Sequence, residues 1–375
     1  MCYHKSNNMT IQTNSKFELK HAVSYILTHK VQIVLAAIVL LGLSIRLLGI
    51  TWGFSTKGPV MVFHPDEGFA LMVMNQMHVK PVDFNPEGAH SEGTFYYYVT
   101  GGAYLIYKSG ATLAARIGLP TLAVSHSAEL VLVGRLVSIM AGALSIFLLY
   151  HVVRAANLSK TAGLLAALFV AIYPIDVIYS QFMRPHILAN TLLIFSLLVL
   201  FLKTSTKANR FKYALVGILL GLSTATRYNM AITLIIPALY IFIDSVENKR
   251  TFLQIIFNVD YVILGVSFIF GVFLGDPYLF LKYSEMSYYL HRQSTFVPPH
   301  AFALNNLADI TYPLRYITYL IPESGKPFLA VGIYLSVFFA LLRKSRLKLA
   351  LPLNEEPRSK LTGYLAVNLF HTQRM

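Results

Sequence analysis

FYYYVTGGAYLIYKSGATLAA, residues 95–115, is the stretch on which the threading of this chain turns. At about 20 residues it is long enough to cross a bilayer. Yet it carries Lys108, the consecutive Tyr96, Tyr97 and Tyr98, and glycines at 101, 102 and 110. The basic residues elsewhere decide between the two readings. If 95–115 does not cross, five basic groups fall on one face: Lys16, Lys20 and Lys30; Arg154 and Lys160; Lys203, Lys207, Arg210 and Lys212; Lys249 and Arg250; and Arg343, Lys344, Arg346 and Lys348. That is the positive-inside pattern. If it crosses, every later basic loop flips outward while the N-terminus stays in. The run is therefore expected to be an interfacial helix or hairpin, its tyrosines in the headgroup layer where an apolar ring has a wet tip.

The rest of the chain supports a membrane protein. It has 375 residues, of which 55% are hydrophobic and 13% charged, with mean hydropathy +0.57. Soluble domains carry about a quarter charged residues. Apolar runs at 31–50, 131–153, 162–179, 187–202, 212–226, 229–243, 255–275 and 327–342 are expected to span. A single helix over 212–243 would be ~48 Å long at 1.5 Å per residue, too long for a ~30 Å hydrocarbon core. A break at Arg227-Tyr228-Asn229 resolves this. The expected fold is all-α: a polytopic membrane helix bundle of about eight spans. It comprises a cytoplasmic tail over 1–30, a transmembrane domain over 31–343 with a long outer loop (51–130) carrying interfacial helices, and a cytoplasmic tail over 344–375. The first apolar run lacks a small-residue cleavage site and reads as an uncleaved span. The net charge of +14 is spread between apolar runs, which argues against nucleic acid and for contact with anionic lipid. Cys2 is the single cysteine, so neither an internal disulfide nor a Cys-based metal site is expected.

This threading puts the chemistry-bearing motifs on the outer face. His64-Pro65-Asp66-Glu67 follows the first span. Carboxylates at membrane depth are functional candidates by default. Asp66 has the chemistry of a general base and Glu67 that of a partner that orients it or binds a cation. The plainer alternative is a Pro-Asp turn capping a short helix. Arg184-Pro185-His186 lies between two spans, where Arg184 can clamp a phosphate as a planar fork or merely snorkel. Asp176, just before it, suits a helix end. Arg227-Tyr228-Asn229 sits at the helix break, and half-helix ends facing a cavity take anions and polar ligands. Asp276-Pro277-Tyr278 ends a span, and Lys282, His291 and Arg292 follow in an aromatic-rich loop. No Walker loop or Rossmann glycine pattern is present, so a donor would have to arrive within the membrane, linked to lipid.

Taken in order, these stretches resemble a known family. They are Arg46-Leu47-Leu48-Gly49 through Phe63–Glu67; Gly134-Arg135-Leu136-Val137-Ser138 through Ala162–Ala167; Tyr179-Ser180-Gln181 with Arg184-Pro185; Gly221–Asn229; and Gly275–Tyr278. Over roughly residues 40–295 the chain resembles the membrane glycosyltransferases of the GT-C class, specifically the dolichyl-phosphate-mannose protein mannosyltransferase-like (family 39, aminoarabinose-transferase-like) group. The resemblance implies inverting transfer of a hexosyl or pentosyl group from a polyprenyl-phosphate sugar to a glycan, lipid or protein acceptor on the outer face of the cell membrane. It implies Asp66 as base with Glu67 beside it, Arg184, Arg227 and Lys282 on the donor phosphate, and His64, Tyr228, Asn229, Asp276 and Tyr278 in the substrate pocket. A divalent cation is the one cofactor left open, with His64, Glu67 and His186 as candidate ligands. Many relatives carry a second acid after Arg-Pro, where this chain has His186, and relatives continue beyond the point where it ends. A lipid-linked-sugar flippase and an inactive scaffold are the alternatives. Polar residues are nearly absent from 31–50, 187–202 and 255–275, which disfavours a translocation path.

Overall fold

The computed structural model describes residues 29–54, 62, 64–77, 84–85, 92–118, 120, 124–202, 206–285 and 287–288. These are helical, with no strand among them. The first helix, α1, is His29–Leu47. It is followed by α2 (Pro65–Gln76), α3 (Phe95–Arg116), α4 (His126–Ala155), α5 (Lys160–Ile172), α6 (Pro174–Ser180), α7 (His186–Phe201) and α8 (Thr206–Thr226). A 3₁₀ turn (Tyr228–Leu234), α9 (Ile235–Glu247), α10 (Phe252–Ile256), α11 (Val259–Gly275) and α12 (Tyr278–Leu281) complete the order. The expected span at 327–342, both terminal tails and the loop residues His291 and Arg292 lie outside the described residues.

Among the described residues, four helical segments are long and apolar enough to cross a membrane: α1, α4, Tyr228–Glu247 and Phe252–Gly275. The pair α5 and α6 makes a fifth if counted as one bent span. The ambiguous run is a single helix, α3, and it is not among them. At 16 residues α7 is apolar but short, ~24 Å at 1.5 Å per residue.

Two expected spans are corrected in shape. The first ends at Leu47 rather than Ile50, because Gly49 and Gly53 take left-handed φ values of 77° and 81° and turn the chain. The run 162–179 is two helices bent by 57°. Pro174 opens α6, and a residue before proline resists the helical region, so Tyr173 is extended. The break frees carbonyls at membrane depth, where water cannot satisfy them. Arg46 supplies the donors. Its Nη1 and Nη2 each donate at 3.0 Å, to Ala171 O and Val170 O, and its Nε donates to Ser180 Oγ at 3.1 Å. Nη2 also pairs with Asp176 Oδ2 at 2.5 Å. Asp176 is thus the counter-ion of a buried arginine.

The break foreseen at residues 227–229 is present, with α8 ending at Thr226 and the 3₁₀ turn starting at Tyr228. Helices α8 and α11 pack backbone against backbone. A Cβ on Gly217 would lie 2.6 Å from Leu264 O, one on Gly221 2.3 Å from Phe268 O, and one on Gly271 2.4 Å from Ile218 O. Small residues permit this approach in lipid, where packing rather than water expulsion holds helices together. Buried hydroxyls add cross-links: Thr191 Oγ1 donates to Ala141 O at 2.9 Å and Ser223 Oγ to Ala189 O at 2.8 Å, tying α7 to α4 and α8 to α7.

Candidate active site

The acidic motif opens α2. His64 is extended at the N-cap and its Nδ1 accepts from Asp66 N at 3.2 Å, while Pro65 fills the first turn, where its missing N–H is no loss. One turn therefore presents two carboxylates in different directions. Glu67 points inward and is fully buried. Its Oε1 accepts from Arg135 Nε at 2.9 Å and from Met183 N at 2.9 Å, and its Oε2 from Arg135 Nη2 at 3.0 Å. Arg135, also fully buried, donates through Nη1 to Ile50 O and Trp52 O, both at 2.8 Å. This fork fastens the exit of α1, the start of α2 and the turn before α7 onto α4. A Cβ on Gly134 would lie 2.3 Å from Met183 Cγ, so α4 is bare where that turn passes. Arg135 lay within a stretch already singled out, but its pairing with Glu67 was not foreseen. The available signal was an arginine inside an otherwise apolar helix, which demands a counter-ion at membrane depth.

Asp66 points outward and is 44% exposed. Its Oδ2 is in ion-pair contact with Arg184 Nη2. The same nitrogen donates to Glu92 Oε1 at 3.4 Å. Burial pushes the Glu92 carboxyl up, against the opposing pull of Arg184 and Arg227. Tyr97, buried on α3, has a hydroxyl without a hydrogen bond among the described residues; burial first, then Glu92, drives its pKa well above the ordinary tyrosine value. Arg184 is held from behind by its carbonyl, which accepts from Ser138 Oγ at 3.3 Å, and Tyr96 OH donates to Gly134 O at 2.8 Å alongside. Glu92 was not foreseen; the local signal was a carboxylate three residues before the first-turn aromatics of α3.

Glu92 has a built position. A Cβ on the next residue, Gly93, would meet Ala225 O at 1.9 Å, and Thr94 Oγ1 donates to Gly275 O at 2.9 Å. The segment is wedged between the C-terminal ends of α8 and α11. Arg227 follows directly on α8, half-buried. It is near enough to Glu92, Arg184 and Tyr179 for their charges to act on it. Its guanidinium has no hydrogen bond or ion pair among the described residues. His186, at the start of α7, stacks on Tyr179 at 4.9 Å between ring centroids and stands among Arg227, Arg184 and His64; its Nδ1 has no hydrogen-bond partner among the described residues.

The remaining expected residues divide. Asp276 is buried and accepts from Tyr228 OH at 2.6 Å through Oδ2 and from Leu279 N at 3.3 Å through Oδ1. It joins the broken-helix turn to the start of α12. Tyr278 is half-buried at the first position of α12, and Asn229 is exposed. Lys282 pairs with Glu285 at 3.2 Å on the exposed segment after α12 and has no ion pair with the Arg184 group. The candidate metal ligands do not converge. Among the described residues no three His, Cys, Asp or Glu side chains are grouped to hold a metal ion. Glu67 faces Arg135, and His186 faces two arginines, surroundings that repel a cation.

The structure defines an all-helical membrane protein with a charged cluster where the ends of α1, α6, α8 and α11 meet the starts of α2, α3 and α7. Residues 121–273 match the model of the family described as dolichyl-phosphate-mannose-protein mannosyltransferase. The resemblance read from the sequence thus holds over α4 to α11, a stretch that contains Arg135, Arg184, His186 and Arg227. Asp66, Glu67, Glu92 and Asp276 lie outside it. Comparison with curated proteins gives no significant match. Among solved structures, the chain is similar to the oligosaccharyltransferase of Archaeoglobus fulgidus in its apo form, with TM-score 0.48 and 16% identity over 89% of this chain and 41% of that one. The same enzyme tethered to an acceptor peptide with the NVT sequon gives TM-score 0.47 and 15% identity over 84% of this chain and 39% of that one. The chain spans about two fifths of the length of that enzyme.

Proposed function

We propose that this protein is a membrane glycosyltransferase that moves a hexosyl or pentosyl group from a polyprenyl-phosphate donor to a hydroxyl of a glycan, lipid or protein acceptor on the outer face of the membrane. The observation that carries the proposal is Arg227: a half-buried guanidinium without an ion pair among the described residues, at a helix break, near Arg184 and Glu92. Glu92 acts on it from a distance but forms no ion pair with it, so this partly desolvated cation suits a ligand that brings an anion. The distribution of basic loops supports the outer placement, and the family match supports the class.

In the proposed reaction Asp66 takes the proton of the acceptor hydroxyl. The acceptor oxygen then forms a bond to the anomeric carbon from the face opposite the phosphate. The bond from that carbon to the phosphate oxygen breaks, the electron pair leaves with the polyprenyl phosphate, and the configuration inverts. Arg227, with Arg184 behind it, receives the charge that grows on the departing phosphate. Glu67 touches neither substrate; it holds the acidic turn in place through Arg135. Lys282, away from the cluster, is no part of the phosphate site. The test is purified protein in nanodiscs with a panel of polyprenyl-phosphate sugars, products identified by mass spectrometry. Transfer by wild type, its loss in Asp66→Asn and a donor KM raised about tenfold or more in Arg227→Ala are expected. Full transfer by Asp66→Asn refutes the base, and lipid translocation without product favours the flippase.

A further inference from the structure

Arg184 sits between two carboxylates that meet it at a single nitrogen, Nη2, and they differ in access. Asp66 is 44% exposed and Glu92 23%, with the guanidinium itself 10% exposed. The other donor with a direction of its own, Arg184 Nε, is buried without a hydrogen-bond partner among the described residues. Asp66 rides on the first turn of α2, at its second residue. Glu92 stands on the Gly93-Thr94 wedge, whose fit against α8 and α11 leaves no room even for a methyl group.

We propose that Glu92 is a positioning residue that holds the Arg184 guanidinium when Asp66 turns from it toward an acceptor hydroxyl. The inference rests on the base role of Asp66 given above. A base that accepts a proton gives up its charge and with it the ion pair to the guanidinium, and an arginine left without a counter-ion in a buried site would reorient. With Glu92 fixed behind it, Arg184 keeps one carboxylate throughout, and the distance from Arg184 to the incoming phosphate does not change as Asp66 moves. The charges facing Glu92 come from three elements: Asp66 on α2, Arg184 in the turn before α7 and Arg227 at the end of α8. Glu92 balances the arginines while Asp66 carries the proton.

Phenylglyoxal modification of arginines, followed by peptide mass spectrometry on the full chain in nanodiscs, reads this without needing turnover. Arg184 is expected to react slowly in wild type and in Asp66→Asn, and about tenfold or more faster in Asp66→Asn with Glu92→Gln, since a charge-assisted hydrogen bond is worth at least a factor of ten. Asp66→Asn with Glu92→Asp keeps the charge and restores slow reaction. Arg135 is fully buried and stays unmodified in every folded variant. In the transfer assay Glu92→Gln alone lowers kcat with little change in donor KM and Glu92→Asp restores it, with a melting temperature no lower than that of wild type to separate the effect from a loss of folded enzyme. If Asp66→Asn by itself exposes Arg184 as fully as the double variant, Glu92 does not hold it and the inference fails. If protection follows the expected order but wild type transfers no sugar, the anchor stands and the transferase proposal falls.

Discussion

Replacing Glu67 by Gln tests whether this residue acts as scaffold or as chemistry. The change keeps the shape and removes one charge. Arg135 is then left fully buried, with carbonyls of Ile50 and Trp52 as its remaining strong acceptors and one amide oxygen where it had two carboxylate oxygens. Breaking a buried ion pair from one side destabilises by about 3–5 kcal/mol. The surviving acceptors place Glu67→Gln near the low end, at about 3 kcal/mol, and Glu67→Ala near the high end, at about 5 kcal/mol. Arg135→Met removes the guanidinium that pairs with both carboxylate oxygens of the fully buried Glu67 and should do comparable damage. Removing both partners removes the uncompensated charge, so Glu67→Gln with Arg135→Met should be milder than the sum of the two by about 2 kcal/mol or more. The assay is denaturant unfolding in detergent micelles followed by far-UV circular dichroism. Trp52, the single tryptophan of the chain, gives a second signal at the lash itself, because its carbonyl accepts from Arg135. Additivity of the two single losses, or a loss below about 1 kcal/mol in Glu67→Gln, would show that the pair does not fasten the acidic turn.

Other predictions test the surrounding parts. Gly93→Ala forces a Cβ into Ala225 O and should cost about 1–3 kcal/mol while lowering transfer through a displaced Glu92, seen by unfolding and kcat together. Arg46→Met leaves the Val170 and Ala171 carbonyls without their donor and strands Asp176; it should destabilise by about 3 kcal/mol or more in the same unfolding assay, with added Asp176→Asn recovering part of the loss. Glu92 gives a pH effect with a definite sign. Its folded pKa lies above 4.5, so the folded chain holds that proton more tightly than the unfolded one, and the stability linked to it falls as pH rises from 4.5 through the folded value. Glu92→Gln should flatten this fall in the melting temperature measured across that window, and an unchanged slope would contradict the assignment.

The helical, apolar character of the chain was readable because lipid imposes coarse rules. A core about 30 Å thick sets segment length, and basic residues mark one side. Hence the break at Arg227 could be located from the length of 212–243 and the parity of the basic loops, whereas α8, expected to span, is not among the helices long and apolar enough to cross. The bend at Pro174 was less visible, since the apolarity of 162–179 runs straight through it; the proline was the clue, and Arg46, over a hundred residues earlier, is what makes the bend tolerable. The motif Asp66-Glu67 shows the same limit. Two neighbouring carboxylates on the first turn of a helix point about 100° apart, so they cannot share a task as easily as their adjacency suggests. One went inward to Arg135 and became structure; the other stayed at the surface with Arg184. The second carboxylate on Arg184 came from Glu92, supplied by a loop whose position depends on three helices and therefore on contacts that no local pattern encodes. His186 stands in an environment made cationic by Arg184 and Arg227, so the imidazole alone, read from the sequence, suggested a metal ligand without showing the charges that surround it. In a site of this kind, which charges end up paired is decided by depth in the bundle: the buried arginine, Arg135, claims its counter-ion outright, while Arg227, half-buried at a helix end, has no ion pair among the described residues and is the one that the proposed donor phosphate would complete.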